Sequence, residues 1–494
     1  MQVMPATLEN MVSGQLPEVT VIAEPGSAVS IPPIVKKFRK AFMKLSFLDM
    51  SLKPILVPVA RFLNCMINHT VTRKSWRSQC LNMWLFSNCH KIGLISCLTV
   101  SGMCMAADHS GHGSAQLHDM TKTWKAALAR QPLAVAAAFD ANGKLWQASV
   151  KNGHVMVSQS DNQGKTFSTP VPVNPESELV AAIGESRPKI LVASNGNIYI
   201  SYTQDLETPF AGNIRFSRSI DGGKSFSAPI TVNDNLDPIT HRFGVMGVNE
   251  RGQIYVAWLD KRDISIAKKN GGKYSGAAVY YAISDDGGKT FRANVKAADH
   301  SCECCRVGMA MDKDGTPVIM WRHIFEKNIR DHAMMRLDGK AQPIRLSHEN
   351  WEVNACPHHG PAVSIANDGN YHFVWFSKSA ERHGLFYSYS SDQGKHFSRP
   401  LSFGNFQAQA SHPHVLSQGQ RVFIVWKEFD GVATGIYLID SVDGGKLWSA
   451  PKKIASTMGT SDYPFLVSDG NKNYLSWNTD KEGYRLINLS ESAQ

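Results

Sequence analysis

Ser284-Asp285-Asp286-Gly287-Gly288-Lys289-Thr290-Phe291 is the stretch on which the reading of this chain turns. Its Asp can cap nearby backbone N–H groups, its glycines supply positive φ, and its closing aromatic is large enough to lock onto a neighbouring surface. It therefore reads as a hairpin turn between two strands. The pattern returns four times. Ser219 to Phe226 reads SIDGGKSF, Ser390 to Phe397 reads SSDQGKHF and Ser441 to Trp448 reads SVDGGKLW. Ser160 to Phe167 reads SDNQGKTF, with Asn162 in the Asp position. Five turns in one register describe a repeat.

Outward from these turns, the chain from about Thr123 shows short alternating runs broken by turn residues, an all-β pattern. One strand per module is easy to see: Lys144–Trp146, Ile198–Tyr202, Ile254–Trp258, Val318–Trp321, His372–Trp375, Val422–Trp426 and Tyr474–Trp477. From Tyr202 onward these copies are spaced 56, 63, 54, 51 and 51 residues apart. A turn is missing between Asp286 and Asp392, where Leu337-Asp338-Gly339-Lys340 stands as a degenerate copy. The last module, Tyr463 to Leu489, supplies three strands, and Thr123 to Ala129 is placed to supply a fourth from the other end.

The turns resemble the Asp boxes of the sialidase-like β-propellers, Ser-x-Asp-x-Gly-x-x-aromatic, which join the two outer strands of a blade. The resemblance covers about residues 125 to 490. It implies an all-β β-propeller of four-stranded antiparallel blades, closed so that no sheet edge is exposed. Counting modules gives seven blades; the sialidase resemblance implies six. Asp boxes specify fold more than activity.

The first strand of each blade lines the axis in such a ring. Counting back from the second-strand aromatics places Arg187, Arg242, Arg306, His359, His412 and Asp462-Tyr463 there. The ends of the second strands add Asp260, Asp263, Arg322 and Glu428 to the same face. Arginine suits carboxylate recognition because its planar fork donates two parallel hydrogen bonds. In sialidases an arginine triad holds the sugar carboxylate, a Tyr–Glu pair is the nucleophile and an Asp the acid/base. Ser186-Arg187-Pro188 matches the family's first arginine motif in part. The resemblance thus implies Tyr463 as nucleophile, Glu428 as its base, Asp260 or Asp263 as acid, and Arg187, Arg242, Arg306 and Arg322 as substrate-binding residues. It implies an exo-glycosidase acting on sialic acid or another acidic glycan. The alternative for the arginines is pairing with nearby carboxylates of the protein itself.

A second group joins Cys302-Glu303-Cys304-Cys305-Arg306 to Cys356-Pro357-His358-His359-Gly360, with His412-Pro413-His414 opening the next blade. It resembles a cysteine pair in an exported branch of Asp-box proteins, and sialidase catalysis does not need it. Disulfides stapling two blades are one reading; a copper or zinc site using these cysteines with His358, His359, His412 and His414 is the other. A metal-handling or redox role, or a non-catalytic binding propeller, are the alternative functions. No cofactor is otherwise required.

The formal charge of +10 lies mostly in residues 1–106, which hold 11 Lys+Arg against 4 Asp+Glu; the remainder holds 41 against 38. With no basic stripe in the repeat region, a nucleic-acid partner is not expected. Residues 83–106 read as a signal peptide: Lys91, then an apolar run too short to span a bilayer, then Cys104-Met105-Ala106. Residues 1–82 read as an extension or a misplaced start, and 107–122 as a flexible linker holding His109, His112 and His118. Of nine cysteines, only Cys302, Cys304, Cys305 and Cys356 follow that signal, an even number that suits an oxidising compartment. A periplasmic or extracellular monomer without a transmembrane span is expected.

Overall fold

The computed structural model describes residues 132–355 and 357–490. The extension, the signal, the linker, the proposed closing strand Thr123–Ala129 and Cys356 lie outside the described residues.

Seven antiparallel sheets follow one another, each with its strands in chain order. Blade 1 is built from Ala136–Phe139, Leu145–Lys151, His154–Ser160 and Val171–Pro172. Blade 2 runs from Lys189–Val192 through Ile198–Asp205 and Gly212–Ser219 to Ile230–Thr231. Blade 3 opens with His241–Val248 and Ile254–Asp260, continues after a short helix (α1, Arg262–Lys269) with Ala277–Ser284, and ends with Val295–Ser301. Blades 4, 5 and 6 begin at Gly308–Met311, Ala362–Ile365 and Ser411–Gln418. Blade 7 has three described strands, Phe465–Ser468, Asn473–Thr479 and Gly483–Asn488. The fold is thus the seven-bladed propeller of the module count, not the six-bladed one. No helix among the described residues is long and apolar enough to cross a membrane.

Second strands are apolar on both faces because each blade is covered on both sides. Ile254–Asp260 and Pro317–Arg322 are buried at every position. The tryptophans that mark these strands, Trp258, Trp321, Trp375, Trp426 and Trp477, are fully buried. Ring closure falls to Ala137 and Leu145 of blade 1, which share a core cluster with Val467 and Tyr474 of blade 7.

Each Asp box joins the third strand to the fourth. In the box at Ser284, the Ser284 hydroxyl donates to Asp286 (2.8 Å) and accepts from the Gly288 N–H (2.8 Å), while Asp286 accepts the N–H groups of Lys289 and Thr290. The box aromatic then reaches the preceding blade: Phe291 meets Phe216 edge-on at 5.0 Å, and Trp448 meets Tyr387 at 4.7 Å. Phe167 of blade 1 does the same to Tyr484 of blade 7, across the closure. The second box glycine is fixed by that contact. Gly288 has φ +82°, and a Cβ there would lie 2.4 Å from the Phe216 ring. Gly288→Ala combines backbone strain with overpacking and should cost about 2–4 kcal/mol. Chemical denaturation checks this, and a loss below about 1 kcal/mol would show that the box does not clamp its neighbour.

Candidate functional site at the propeller axis

The residues placed at the axis come from the short segments that lead into each first strand. Glu185 lies in the single 3-10 turn Gly184–Ser186, just before blade 2. Its carboxylate is 1% exposed. It accepts the Arg306 backbone N–H at 3.0 Å and the Arg306 guanidinium at 2.6 Å, both from the entry to blade 4. It also accepts the Gly360 N–H at 2.9 Å, from the entry to blade 5, and His412 of blade 6 lies 3.5 Å away. Blades 2, 4, 5 and 6 are not mutual neighbours in a ring of seven, so one carboxylate can touch all four only at the axis. Gly360 is required there, because a Cβ would fall 2.3 Å from Arg306 and 2.5 Å from Glu185. Burial pushes the Glu185 carboxyl up, but Arg306, His412 and the backbone donor outweigh it and hold the group far below the usual range.

A second buried carboxylate sits beside this hub. Asp462 accepts from Arg187 at 3.0 Å and from the Val135 N–H at 3.1 Å. Arg187 also donates to the Val135 carbonyl (2.7 Å) and to the Tyr463 carbonyl (3.2 Å). Burial raises the Asp462 carboxyl despite Arg187.

Between the two pairs stands Tyr463. Its ring stacks on the His412 imidazole at 3.4 Å and 13°, and His412 in turn lies 4.6 Å from His359. Gly184 packs so closely on the Tyr463 ring that a Cβ would be 2.1 Å from it. The Tyr463 hydroxyl makes no hydrogen bond among the described residues. Burial, then the Glu185 charge, pushes the phenol up to about 12. Desolvation lowers His412 to about 4, His359 to about 2 and His414 to about 3, so all three imidazoles are neutral at pH 7.

Two lysines complete the centre. Lys427 holds its ammonium 5.3 Å from the Tyr463 ring centroid. Half-buried Lys189, in the first strand of blade 2, donates to the Arg187 carbonyl at 2.7 Å. Burial, then Arg187 and Arg306, lowers its amine to about 7. In the unfolded chain the proton is lost near pH 10.5. Between those values the unfolded chain therefore binds more protons, and this residue's contribution to stability rises with pH. Lys189→Met should remove that slope: relative to the variant, the wild type gains stability between pH 7 and 10. Parallel pH profiles of melting temperature would contradict the assignment.

The other expected site residues are engaged elsewhere. Fully buried Asp260 accepts the Trp258 indole at 2.9 Å and the Arg262 guanidinium at 2.8 Å. Asp263, on α1, accepts from Tyr280 (3.0 Å) and Lys296 (3.1 Å). Glu428 accepts the Trp426 indole and the Asn405 N–H, both at 2.7 Å. Arg242 pairs with Asp205 at 3.2 Å. Arg322, 1% exposed, donates to the carbonyls of Arg330, His359 and Phe376. The structure thus gathers Arg187, Arg306, His359, His412, His414 and Tyr463, touches Arg322 only through the His359 carbonyl, and leaves Arg242 and three carboxylates in other pairings. Glu185 and Lys189 were not foreseen. The available signal was their position two residues either side of Arg187. A cavity of about 520 Å³ opens at the far end of the strands, between hairpins that include Asn249, Asp312 and Ala366, away from this constellation.

No family model and no curated protein matches the sequence. Solved structures match in fold. An ulvan lyase of a polysaccharide lyase family is 12% identical, covers 72% of this chain and 92% of its own, and superposes with a TM-score of 0.46. A Hadza microbial sialidase is 14% identical over 68% and 74% of the two chains, with a TM-score of 0.42. An α-L-arabinanase from Penicillium chrysogenum is 13% identical over 60% and 88%, with a TM-score of 0.39. These likenesses concern the fold alone.

Beneath the axial site lies the cysteine group. Cys302, Cys304 and Cys305 are all buried in the segment between blades 3 and 4, immediately before Arg306. Their Sγ atoms lie within 4.8 Å of one another. His358 is exposed, with φ 52°, and the expected bridge to Cys356 falls on a residue outside the described ones.

Proposed function

We propose that this protein is an exported propeller enzyme that acts on an anionic, carboxylate-bearing glycan at the axis. The observation that carries this reading is the Tyr463 hydroxyl, which has no hydrogen bond among the described residues, on a ring stacked against the neutral His412 imidazole with the Lys427 ammonium 5.3 Å from its centroid. Arg187 and Arg306 are answered by Asp462 and Glu185, so their role is to build the floor of the site. The donors left for a substrate carboxylate are Lys189, Lys427 and the phenol. Tyr463, protonated up to high pH, suits proton donation to a leaving oxygen. Lys189, with its amine poised near neutrality, suits proton abstraction. A two-carboxylate hydrolysis mechanism fits less well, because Glu185 and Asp462 are both held in ion pairs.

The test is incubation of the purified chain with sialosides and with uronic-acid polysaccharides, followed by product analysis. A free sugar supports hydrolysis, and an unsaturated uronate supports elimination. No product from either class, together with no protection from unfolding by the anionic sugars, would reject the enzyme reading. Protection without product would favour a binding propeller, a reading also supported by the full pairing of both axial carboxylates.

A further inference from the structure

The cysteine group is separate from the glycan reading, and its chemistry points elsewhere. Cys302, Cys304 and Cys305 are 0%, 5% and 2% exposed. The loop that carries them is anchored at its start, where the Cys302 N–H donates to the Arg322 carbonyl at 2.8 Å. The Sγ atoms of Cys302 and Cys304 are 3.8 Å apart. Two thiolates on one cation at about 2.3 Å each, in a trigonal plane, are about 4.0 Å apart. Among the described residues no histidine or carboxylate joins the three sulfurs.

We infer that Cys302, Cys304 and Cys305 form a trigonal thiolate site for one soft monovalent d10 cation, copper(I). Thiolate donors select copper(I), zinc and iron–sulfur clusters over harder ions. Copper(I) is satisfied by three such donors, and a fourth sulfur would favour zinc instead. The charge also fits. Three thiolates around copper(I) carry a net charge of −2, and two guanidinium groups answer it. Arg330 lies 3.4 Å from the Cys302 sulfur, and Arg322 is fully buried with its Nε unpartnered. Binding releases up to three thiol protons and changes no oxidation state. Because Arg306 follows Cys305 directly and Arg322 also holds the His359 carbonyl, the filled site would brace the floor of the axial constellation.

The experiment uses the full chain, purified under reductant without oxygen. Copper(I), supplied as its acetonitrile complex, is titrated in competition with a chromophoric chelator; zinc sulfate is the parallel arm. One copper per chain and three sulfur neighbours by X-ray absorption are expected for the wild type, a result that needs no variant to fold. Cys302→Ser and Cys305→Ser should each weaken copper binding more than tenfold, and Cys356→Ser should leave the stoichiometry unchanged. Four sulfur neighbours, or preferential zinc uptake lost in Cys356→Ser, would replace this site with a four-thiolate zinc site. In a parallel preparation made without reductant, thiols that resist alkylation until reduced, in protein that takes up no copper, would establish disulfides instead and overturn the proposal.

Discussion

Glu185→Gln should lower the stability of this protein by about 3–5 kcal/mol, the usual cost of removing one partner from a buried ion pair. The substitution keeps the shape of the side chain and removes what the site uses. Two carboxylate oxygens meet the Arg306 guanidinium, the Arg306 N–H and the Gly360 N–H. Glutamine offers one acceptor oxygen and turns an NH2 group towards donors that cannot accept from it, leaving a buried cation unanswered. The loss should depend on pH. Glu185 titrates far below its ordinary value of 4.5 in the folded chain. Its stabilisation is therefore complete above about pH 4.5 and declines as the pH falls below it. Urea denaturation of wild type and variant should show the full gap at pH 7 and a narrower gap near pH 3.5. A gap under about 1 kcal/mol at neutral pH would mean that the four blades do not depend on this carboxylate.

Tyr463→Phe should behave in the opposite way, with little change in stability and a fall in turnover of about 10²- to 10⁴-fold, the range for losing a general acid. Phenylalanine keeps the ring that stacks on His412 and packs on Gly184. What it loses is a hydroxyl without a hydrogen bond among the described residues, so the folded state gives up almost nothing. The pH profile separates the roles. With the phenol pushed up to about 12 and the Lys189 amine lowered to about 7, wild-type activity should rise through neutrality as the amine loses its proton. Equal turnover by wild type and Tyr463→Phe would reduce Tyr463 to a packing residue.

The repeat was legible because its signals are local. Ser284 and Asp286 close their turn within eight residues, and Trp146, Tyr202, Trp258, Trp321, Trp375, Trp426 and Trp477 mark the seven blades one by one. The axial positions were legible for a related reason: rotation about a common axis puts equivalent residues at equivalent radii. That argument found Arg187, Arg306, His359, His412 and Tyr463. It could not find the partners. Asp260 and Glu428 stand two residues beyond Trp258 and Trp426, and each turns back to the indole N–H of its own strand. Burying an indole creates that demand, and spacing alone does not reveal it. Glu185 was missed for the converse reason: its place two residues before Arg187 was there to read, but its partners come from three other blades.

The clasp between Val135, Arg187 and Asp462 has a consequence for how the molecule comes into being. Val135 and Asp462 are separated by 327 positions, and Arg187 and Asp462 by 275. Contacts of such separation form late, after most of the loop-closure entropy has been met. Tyr463 is held by the same residues. A chain emerging during synthesis therefore lacks the assembled axial constellation until its last module arrives and is gripped by its first. Activity in this protein would be a property of the finished ring, and incomplete or clipped chains would be chemically silent even where individual blades had folded.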